Sequence, residues 1–384
     1  MTSSKIVITC PPHINIHLAK EVEELGFKVT DINRMGVEIE GTFNDTMYLN
    51  LHLRTGYRVL FLIQSFRATK PEQLYSQIYK IKWEELFTTE SYFSIQSYVK
   101  NDFIRDTKYA NLKIKDAIAD RFVNLFGKRP NSGPDTSMAV LFLHWKLDQC
   151  SIYIDTSGET IAKHSYRKIP FKAPMLEALA AATIRATEWD MKSSFVNPMC
   201  GSGTLAIEAA LMGINKPPGL MRDNYGFMYI KGYNYAYWDK IKKEAEDKVS
   251  EHIPFKIVAT DISSEALKVA RKNAEYANVS HLINFELCDF TRTTVPEEPG
   301  IVMINPEYGE RLGEEESLVS TYQQIGDFFK QKCSGYMGYI FTGNMKLAKR
   351  IGLRAKRRME FFNAKIDCRL LEYELYAGSK REDK

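Results

Sequence analysis

Strand and helix alternate from residue 194 onward, a glycine-rich turn at 199–204 joins the first of those strands to a helix, and the first 66 residues follow a β-α-β-β-α-β order. These three observations predict an α/β protein: a doubly wound, Rossmann-like domain in the C-terminal half, preceded by α+β segments of which the first is ferredoxin-like. With 384 residues, 44% of them hydrophobic, the chain can hold two or three domains with ample cores.

Taken in order, 5–9 reads as a strand, 14–25 as a helix, 27–32 and 37–40 as strands, 45–54 as a helix and 58–66 as a strand, with Gly26, Gly36 and Gly41 at the breaks. A helical link over 71–86 follows, then a strand (92–99), a helix (109–126) and a strand pair (138–147, 151–155). A helix is expected from 173 to about 186, followed by elements at 194–198, 203–213, 255–260, 263–277, 283–288, 301–305, 316–332, 337–343 and 345–351. The strands of this alternation should lie mostly parallel with helices on both faces, and two antiparallel strands (358–363, 368–376) close the chain.

The apolar run 301–304 ends in Asn305-Pro306-Glu307-Tyr308-Gly309. A conjugated amino group is a poor nucleophile because its lone pair is delocalised. An Asn oxygen and the carbonyl of the next Pro can each accept one N–H and localise that pair toward an electrophile. A Tyr two residues on can stack on a base that has left its helix. Asn-Pro also ends strands without further purpose, so the pentapeptide alone says little.

The partner motif is Asn197-Pro198-Met199-Cys200-Gly201-Ser202-Gly203-Thr204, set between a strand and a helix. Glycines there let the backbone approach a ligand, and the helix amides can receive a carboxylate. No Lys follows the last glycine, which excludes a Walker loop. The third glycine of a dinucleotide fingerprint is missing, and the next acid, Asp261, lies 58 residues past Gly203 instead of about 20.

On these motifs the chain resembles, along nearly its whole length, the THUMP-domain RNA methyltransferases, in particular the bacterial branch that methylates the guanine 2-amino group of 23S ribosomal RNA. The resemblance implies a class I methyltransferase domain over 173–384, a ferredoxin-like domain over 1–68, a THUMP domain that grips RNA over 69–156 and a linker over 157–172. It implies S-adenosyl-L-methionine as cofactor, held by Asn197, Pro198, Met199, Gly201, Ser202 and Gly203. Asp261, with Ile262 beside it, would take the ribose hydroxyls; Asp289, with Phe290, would take the adenine amino group. A helix cap or turn is the other use open to either Asp. Asn305, Pro306 and Tyr308 would be the catalytic set, and Lys163, Tyr166 and Arg167 of the linker would meet RNA, by base stacking and phosphate contact. A solvated linker is the alternative.

Two residues depart from the family pattern, Asn197 where relatives commonly carry Asp and Glu307 where they carry Pro. Asn197 removes a negative charge but keeps an acceptor oxygen. Glu307 leaves the Pro306 carbonyl in place and either accepts a guanine proton, faces solvent or pairs with Arg311. Between the first two strands of the domain, 224–238 holds seven aromatics in fifteen residues, fit either to stack on unpaired RNA or to pack the insert down.

Net charge is only +4, so no global basicity announces nucleic acid. Residues 346–358, however, carry seven basic side chains and no acid, which are candidate phosphate contacts. Six scattered cysteines without a Cys-x-x-Cys pair argue for a reduced interior and against a zinc ribbon, and no metal site is expected. No signal region and no long apolar window are visible, so a cytoplasmic protein is expected. The partner is ribosomal RNA, and a homodimer is left open. Methylation of transfer RNA guanine N2, of adenine N6 in DNA, or a non-catalytic role in ribosome assembly are the competing readings.

Overall fold

The computed structural model describes residues 2–104, 106–169, 171, 174–309 and 314–376. Their contacts divide them into two compact units, one drawn from Met1–Cys10, Leu18–Ile161 and Arg222–Glu244, the other from Pro11–His17, Ala162–Met221 and Ala245–Lys384.

The first unit opens with β1 (Ser4–Thr9), α1 (Asn15–Glu24), β2 (Val29–Asn33), β3 (Gly36–Gly41), α2 (Phe43–His52) and β4 (Arg58–Arg67), the order expected from the sequence. A capping box starts α2: Asp45 N–H donates to Thr42 Oγ1 while Thr42 N–H donates to the Asp45 carboxylate. The helix expected over 71–86 stops early, as α3 (Pro71–Lys80). The Trp83 indole N–H takes the Ile78 carbonyl at 2.7 Å and its ring is fully buried, which turns the chain into a short 3-10 segment at Trp83–Glu85. Next come β5 (Tyr92–Lys100), α4 (Thr107–Phe126), the two-residue β6 (Asn131–Ser132), β7 (Ala139–Lys146) and β8 (Gln149–Asp155). All eight strands form one sheet in the order β2-β3-β1-β4-β8-β7-β5-β6. β4 and β8 pair antiparallel from Leu60↔Asp155 to Arg67↔Gln149, so the edge of the ferredoxin-like segment is covered by the segment that follows it.

The second unit contains α5 (Glu177–Ala186), β9 (Phe195–Pro198) and α6 (Thr204–Gly213). After the insert and its helix α7 (Tyr235–Glu246) come β10 (Ile257–Asp261), α8 (Ser264–Tyr276), β11 (Ile283–Leu287), β12 (Ile301–Ile304) and α9 (Glu314–Lys332). The last elements are β13 (Met337–Thr342), α10 (Met345–Ala348), β14 (Arg357–Asn363) and β15 (Ile366–Glu374). Residue 173, where the first of these helices was expected to open, lies outside the described residues; α5 begins at Glu177. The sheet runs β11-β10-β9-β12-β13-β15-β14, with β9 through β13 parallel and the last pair antiparallel. Strand order reverses between β9 and β12, and doubly wound sheets bind ligands at the carboxyl ends of the strands at that reversal. Val196, Val302 and Ile304 pack there with Ile325 and Phe329 of α9 in one buried cluster, so both strand ends rest on a rigid core.

The aromatic insert belongs to the first unit, where three of its seven aromatics are buried while Tyr229 and Tyr235 are exposed. Tyr225 and Phe227 stack at 5.0 Å and Trp238 stands edge-on to both, all three buried. Such pairs contribute about 0.5–1.5 kcal/mol each beyond the area they bury. The Arg222 guanidinium covers the Tyr225 ring at 4.8 Å and donates to the carbonyls of Ser157, Glu159 and Thr160. Among the described residues no helix is long and apolar enough to cross a membrane.

Candidate active site

Phe195 and Val196 bury β9, and the strand ends on Asn197, itself 1% exposed. Parallel pairing of Val196 with Val302 sets Asn197 opposite Met303. Its amide donates to the Met303 carbonyl at 2.8 Å, while its Oδ1 is buried and accepts no hydrogen bond from the described residues. A buried acceptor without a donor is costly unless something fills the role, and an ammonium group suits it. Pro198 is buried in the strand and Met199 packs partly on the core.

Three left-handed residues then reverse the chain: Met199 (φ 54), Gly201 (φ 56) and Gly203 (φ 81). Cys200 N–H binds the Thr260 carbonyl and Gly201 N–H the Asp261 carboxylate, both at 2.9 Å, which lashes the turn to β10. A Cβ on Gly201 would meet no atom of the described residues within 4 Å, whereas one on Gly203 would stand 2.9 Å from the Ala270 Cβ. Open space thus lies over Gly201, beside an α6 start that has no side-chain cap. Uncapped amides at a helix N-terminus suit a carboxylate. Ser202 is buried, its hydroxyl 3.4 Å from that of Thr204.

Asp261 ends β10. Its Oδ2 accepts from Gly201 N–H and its Oδ1 from Ser263 N–H at 2.9 Å, so it orders the turn as well as facing it. A carboxylate has about four acceptor positions, which leaves capacity for two hydroxyls. Ile262 beside it is 73% exposed, an unusual apolar surface that a planar ring can cover. Asp289 caps the short turn after β11, with Thr291 N–H and Oγ–H both donating to its Oδ1. Phe290 beside it has its ring 6% exposed and packed on Phe328, which leaves its main chain as the part that can face a cofactor.

β12 delivers Asn305 next to Asn197's strand. Asn305 is half-buried, Pro306 is buried and Glu307 is exposed. Arg311, a partner considered for Glu307, lies outside the described residues. Tyr308 does not present a free face. Its hydroxyl donates to Asn305 Oδ1 at 2.7 Å and its ring lies 6.5 Å from that of Phe341, so stacking on a base requires the ring to turn from this position. Burial pushes the Tyr308 hydroxyl far above its usual range, so it remains a donor. Two side chains without any sequence signal hold the loop from behind: Tyr322 O–H donates to the Glu307 carbonyl at 3.1 Å and Asn344 Nδ2 to the Tyr308 carbonyl at 3.0 Å.

The linker residues fall differently from the expectation. Lys163 is exposed, but Tyr166 is 1% exposed and unavailable for base stacking. Arg167 Nη2 donates to the Met175 carbonyl and to Thr204 Oγ1 at 2.5 and 2.9 Å and lies 3.6 Å from Glu177. Beside them the His164 ring nitrogen and the Glu208 carboxylate meet at 2.7 Å, both fully buried. Arg167 therefore braces the start of α6, Tyr166 is buried beside it in sequence, and of the three Lys163 is the exposed one.

Cys200, the thiol of the glycine turn, bears on which atom of a base could be methylated. Methylation at a base carbon through a covalent adduct needs a thiolate. Burial, and after it the Asp261 carboxylate, push the Cys200 thiol well above its usual range, so it stays protonated. The two acceptors at Asn305 and Pro306 suit an amino nitrogen instead.

Residues 164–372 match the RMKL-like methyltransferase domain, 68–155 the THUMP domain and 5–60 the RlmL ferredoxin-like domain. The ribosomal RNA large subunit methyltransferase K/L of Syntrophotalea carbinolica is 33% identical over 382 residues, 97% of this chain and 53% of the relative. The chain spans about half the length of the curated relatives it matches. Among solved structures, SMU.472, complexed with SAH, has the same fold, with a TM-score of 0.88 at 24% identity over 99% of this chain and 100% of that one. A Listeria monocytogenes protein described as a predicted N6-adenine-specific DNA methylase gives 0.87 at 26% identity over 98% and 97%. The RMKL-like match takes in more than half of the residues and contains both motif loops, and the chain belongs to the RMKL-like methyltransferase family.

Proposed function

We propose that this protein is an S-adenosyl-L-methionine-dependent RNA methyltransferase that modifies the exocyclic N2 of a guanine in 23S ribosomal RNA, in the cytoplasm. The observation that carries the reading is the convergence of a donor-less buried Asn197 Oδ1, an uncapped α6 start and the Asn305-Pro306 acceptor pair on the carboxyl ends of adjacent strands β9 and β12. Asn197 Oδ1 would take the cofactor's ammonium, the α6 amides its carboxylate, Asp261 the ribose hydroxyls, and Asp289 and Ile262 the adenine. When bound, the cofactor supplies an electrophilic methyl group on a sulfonium.

The chain's own residues do the rest by orientation. Asn305 Oδ1 and the Pro306 carbonyl accept the two amino protons of the base and turn the nitrogen lone pair toward the cofactor. To stack on the base the Tyr308 ring turns from its place beside Phe341, and its hydroxyl then releases Asn305. Neither acceptor is basic enough to remove a proton, so the surplus proton goes to water. Acceleration comes from positioning and hydrogen-bond preorganisation. The THUMP match and the name carried by the curated relatives support ribosomal RNA as substrate, and the Listeria neighbour keeps DNA adenine as the reading to be tested against it.

Incubation with labelled cofactor and undermodified ribosomal RNA, transfer RNA or duplex DNA, followed by nucleoside mass spectrometry, is expected to yield N2-methylguanosine from ribosomal RNA. N2-methylguanosine confined to transfer RNA, or N6-methyladenine in DNA, would replace the substrate. Failure to bind the cofactor at all would leave a non-catalytic RNA-binding factor.

Lys349 and Arg350, exposed on the basic run after β13, are expected to meet phosphate. Replacing both with Ala should weaken RNA binding about equally for unrelated sequences and flatten the salt dependence by roughly 1.4 in the log–log slope, from about 0.7 per single-strand phosphate contact. Filter binding across a salt series measures this, and an unchanged slope would place the RNA elsewhere.

A further inference from the structure

We propose that Asn344 and Tyr322 are positioning residues for the amino-group methylation proposed above: they clamp the main chain of the 305–308 loop so that its two acceptors stay aligned once Tyr308 has moved. The loop needs such a device. β12 stops at Ile304 and the next described helix begins at Glu314, so no regular element holds 305–309. Within the loop the Tyr308 hydroxyl on Asn305 Oδ1 is a local tie, and it is lost when the ring turns to stack on a base.

What persists is a directed chain of hydrogen bonds on the main-chain carbonyls. Tyr322, fully buried on α9, donates its hydroxyl to the Glu307 carbonyl. The same hydroxyl lies 2.9 Å from that of Thr342, which therefore donates to Tyr322 and in turn accepts Asn344 N–H at 3.0 Å. Asn344 uses both ends of its amide: Oδ1 accepts the N–H groups of Lys346 and Leu347 and caps α10, and Nδ2 donates to the Tyr308 carbonyl. Each hydroxyl gives one bond and receives one, so every member's direction is set. The clamp grips the backbone of Tyr308 and leaves its ring free to turn. Gly343, between two members of the chain, lets the ring lie close: a Cβ there would stand 3.1 Å from Tyr308 Cδ2. Misplacing a reacting group by about 1 Å costs on the order of 10²-fold in rate, so holding these carbonyls matters to turnover rather than to binding.

The variant Asn344→Asp separates the two jobs of the side chain. Asp caps helices as well as Asn does, so α10 keeps its cap. The donor to the Tyr308 carbonyl is lost, and a carboxylate oxygen faces a carbonyl oxygen instead. Expected are a fall in kcat of about 10- to 100-fold, KM for RNA and SAH affinity within about twofold, and a melting temperature within a few degrees of the parent. Tyr322→Phe should act in the same direction, and the double variant should lose less than the product of the two, because both hold one loop. Hydrogen exchange read by mass spectrometry needs no substrate: amides of the 301–309 peptide should exchange faster in Asn344→Asp, with the 195–204 peptide unchanged. Parent-like exchange in 301–309, or cofactor affinity and stability falling in step with turnover, would overturn the clamp. Absence of transfer by the parent would reject the function instead, and the exchange measurement would still decide the clamp.

Discussion

Replacing Asn305 with Ala is expected to lower turnover by about 10²–10³-fold, the cost of removing one preorganised hydrogen-bonding group from a site where charge develops. SAH affinity should stay within about twofold, because the cofactor contacts proposed at Asn197, Gly201, Asp261 and Asp289 all lie on other strands and loops. Stability should fall by about 1–3 kcal/mol, because the largely buried Tyr308 hydroxyl loses its acceptor on Asn305. Single-turnover kinetics beside calorimetric titration of SAH separates these outcomes. Residual turnover with lost SAH affinity would move Asn305 from the amino group to the cofactor.

The second large effect distinguishes two glycines two residues apart. Gly201→Ala places a methyl group in the open space above the loop, where no atom of the described residues lies within 4 Å. Its left-handed φ of 56 costs about 1 kcal/mol, so the melting temperature should drop by only roughly 2–4 °C. SAH affinity should fall by about tenfold or more, equivalent to about 1.4 kcal/mol or more. Gly203→Ala adds a clash with Ala270 Cβ to the strain of φ 81, together about 2–4 kcal/mol. That variant should melt roughly 5–10 °C lower. Thermal melts with and without SAH test the contrast. Equal loss of SAH affinity with no difference in melting would mean that the loop yields, and that the space over Gly201 is not a ligand's.

Much of the second unit could be read from local pattern. Short apolar runs at 195–196 and 301–304 mark strands, glycines mark the turn between β9 and α6, and Asn-Pro marks both strand ends. α7 is not legible in the aromatic-rich insert, although Lys240 and Glu244 stand at helical spacing and pair at 3.7 Å. Tyr166 and Arg167 were read as exposed because Tyr and Arg in a linker usually are. Nothing in the linker itself shows that Thr204 and Glu177 wait to receive Arg167. The ring of Phe290 likewise finds Phe328 on α9, a partner that its sequence neighbours do not announce.

By itself, then, the sequence determined which chemistry is available: an acceptor pair for an amino group, a glycine turn for a cofactor, acids at the next two strand ends. These depend on residue type and on spacing within one strand and one loop, which are local properties. Only the tertiary structure decided that β4 joins β8, that Tyr225, Phe227 and Trp238 pack instead of awaiting RNA, that Asn197 Oδ1 is left without a donor, and that Tyr322 and Asn344 hold the loop from behind. Each of those pairs a buried polar or aromatic group with a partner distant in sequence, or denies it one, and burial becomes defined only when the whole core closes.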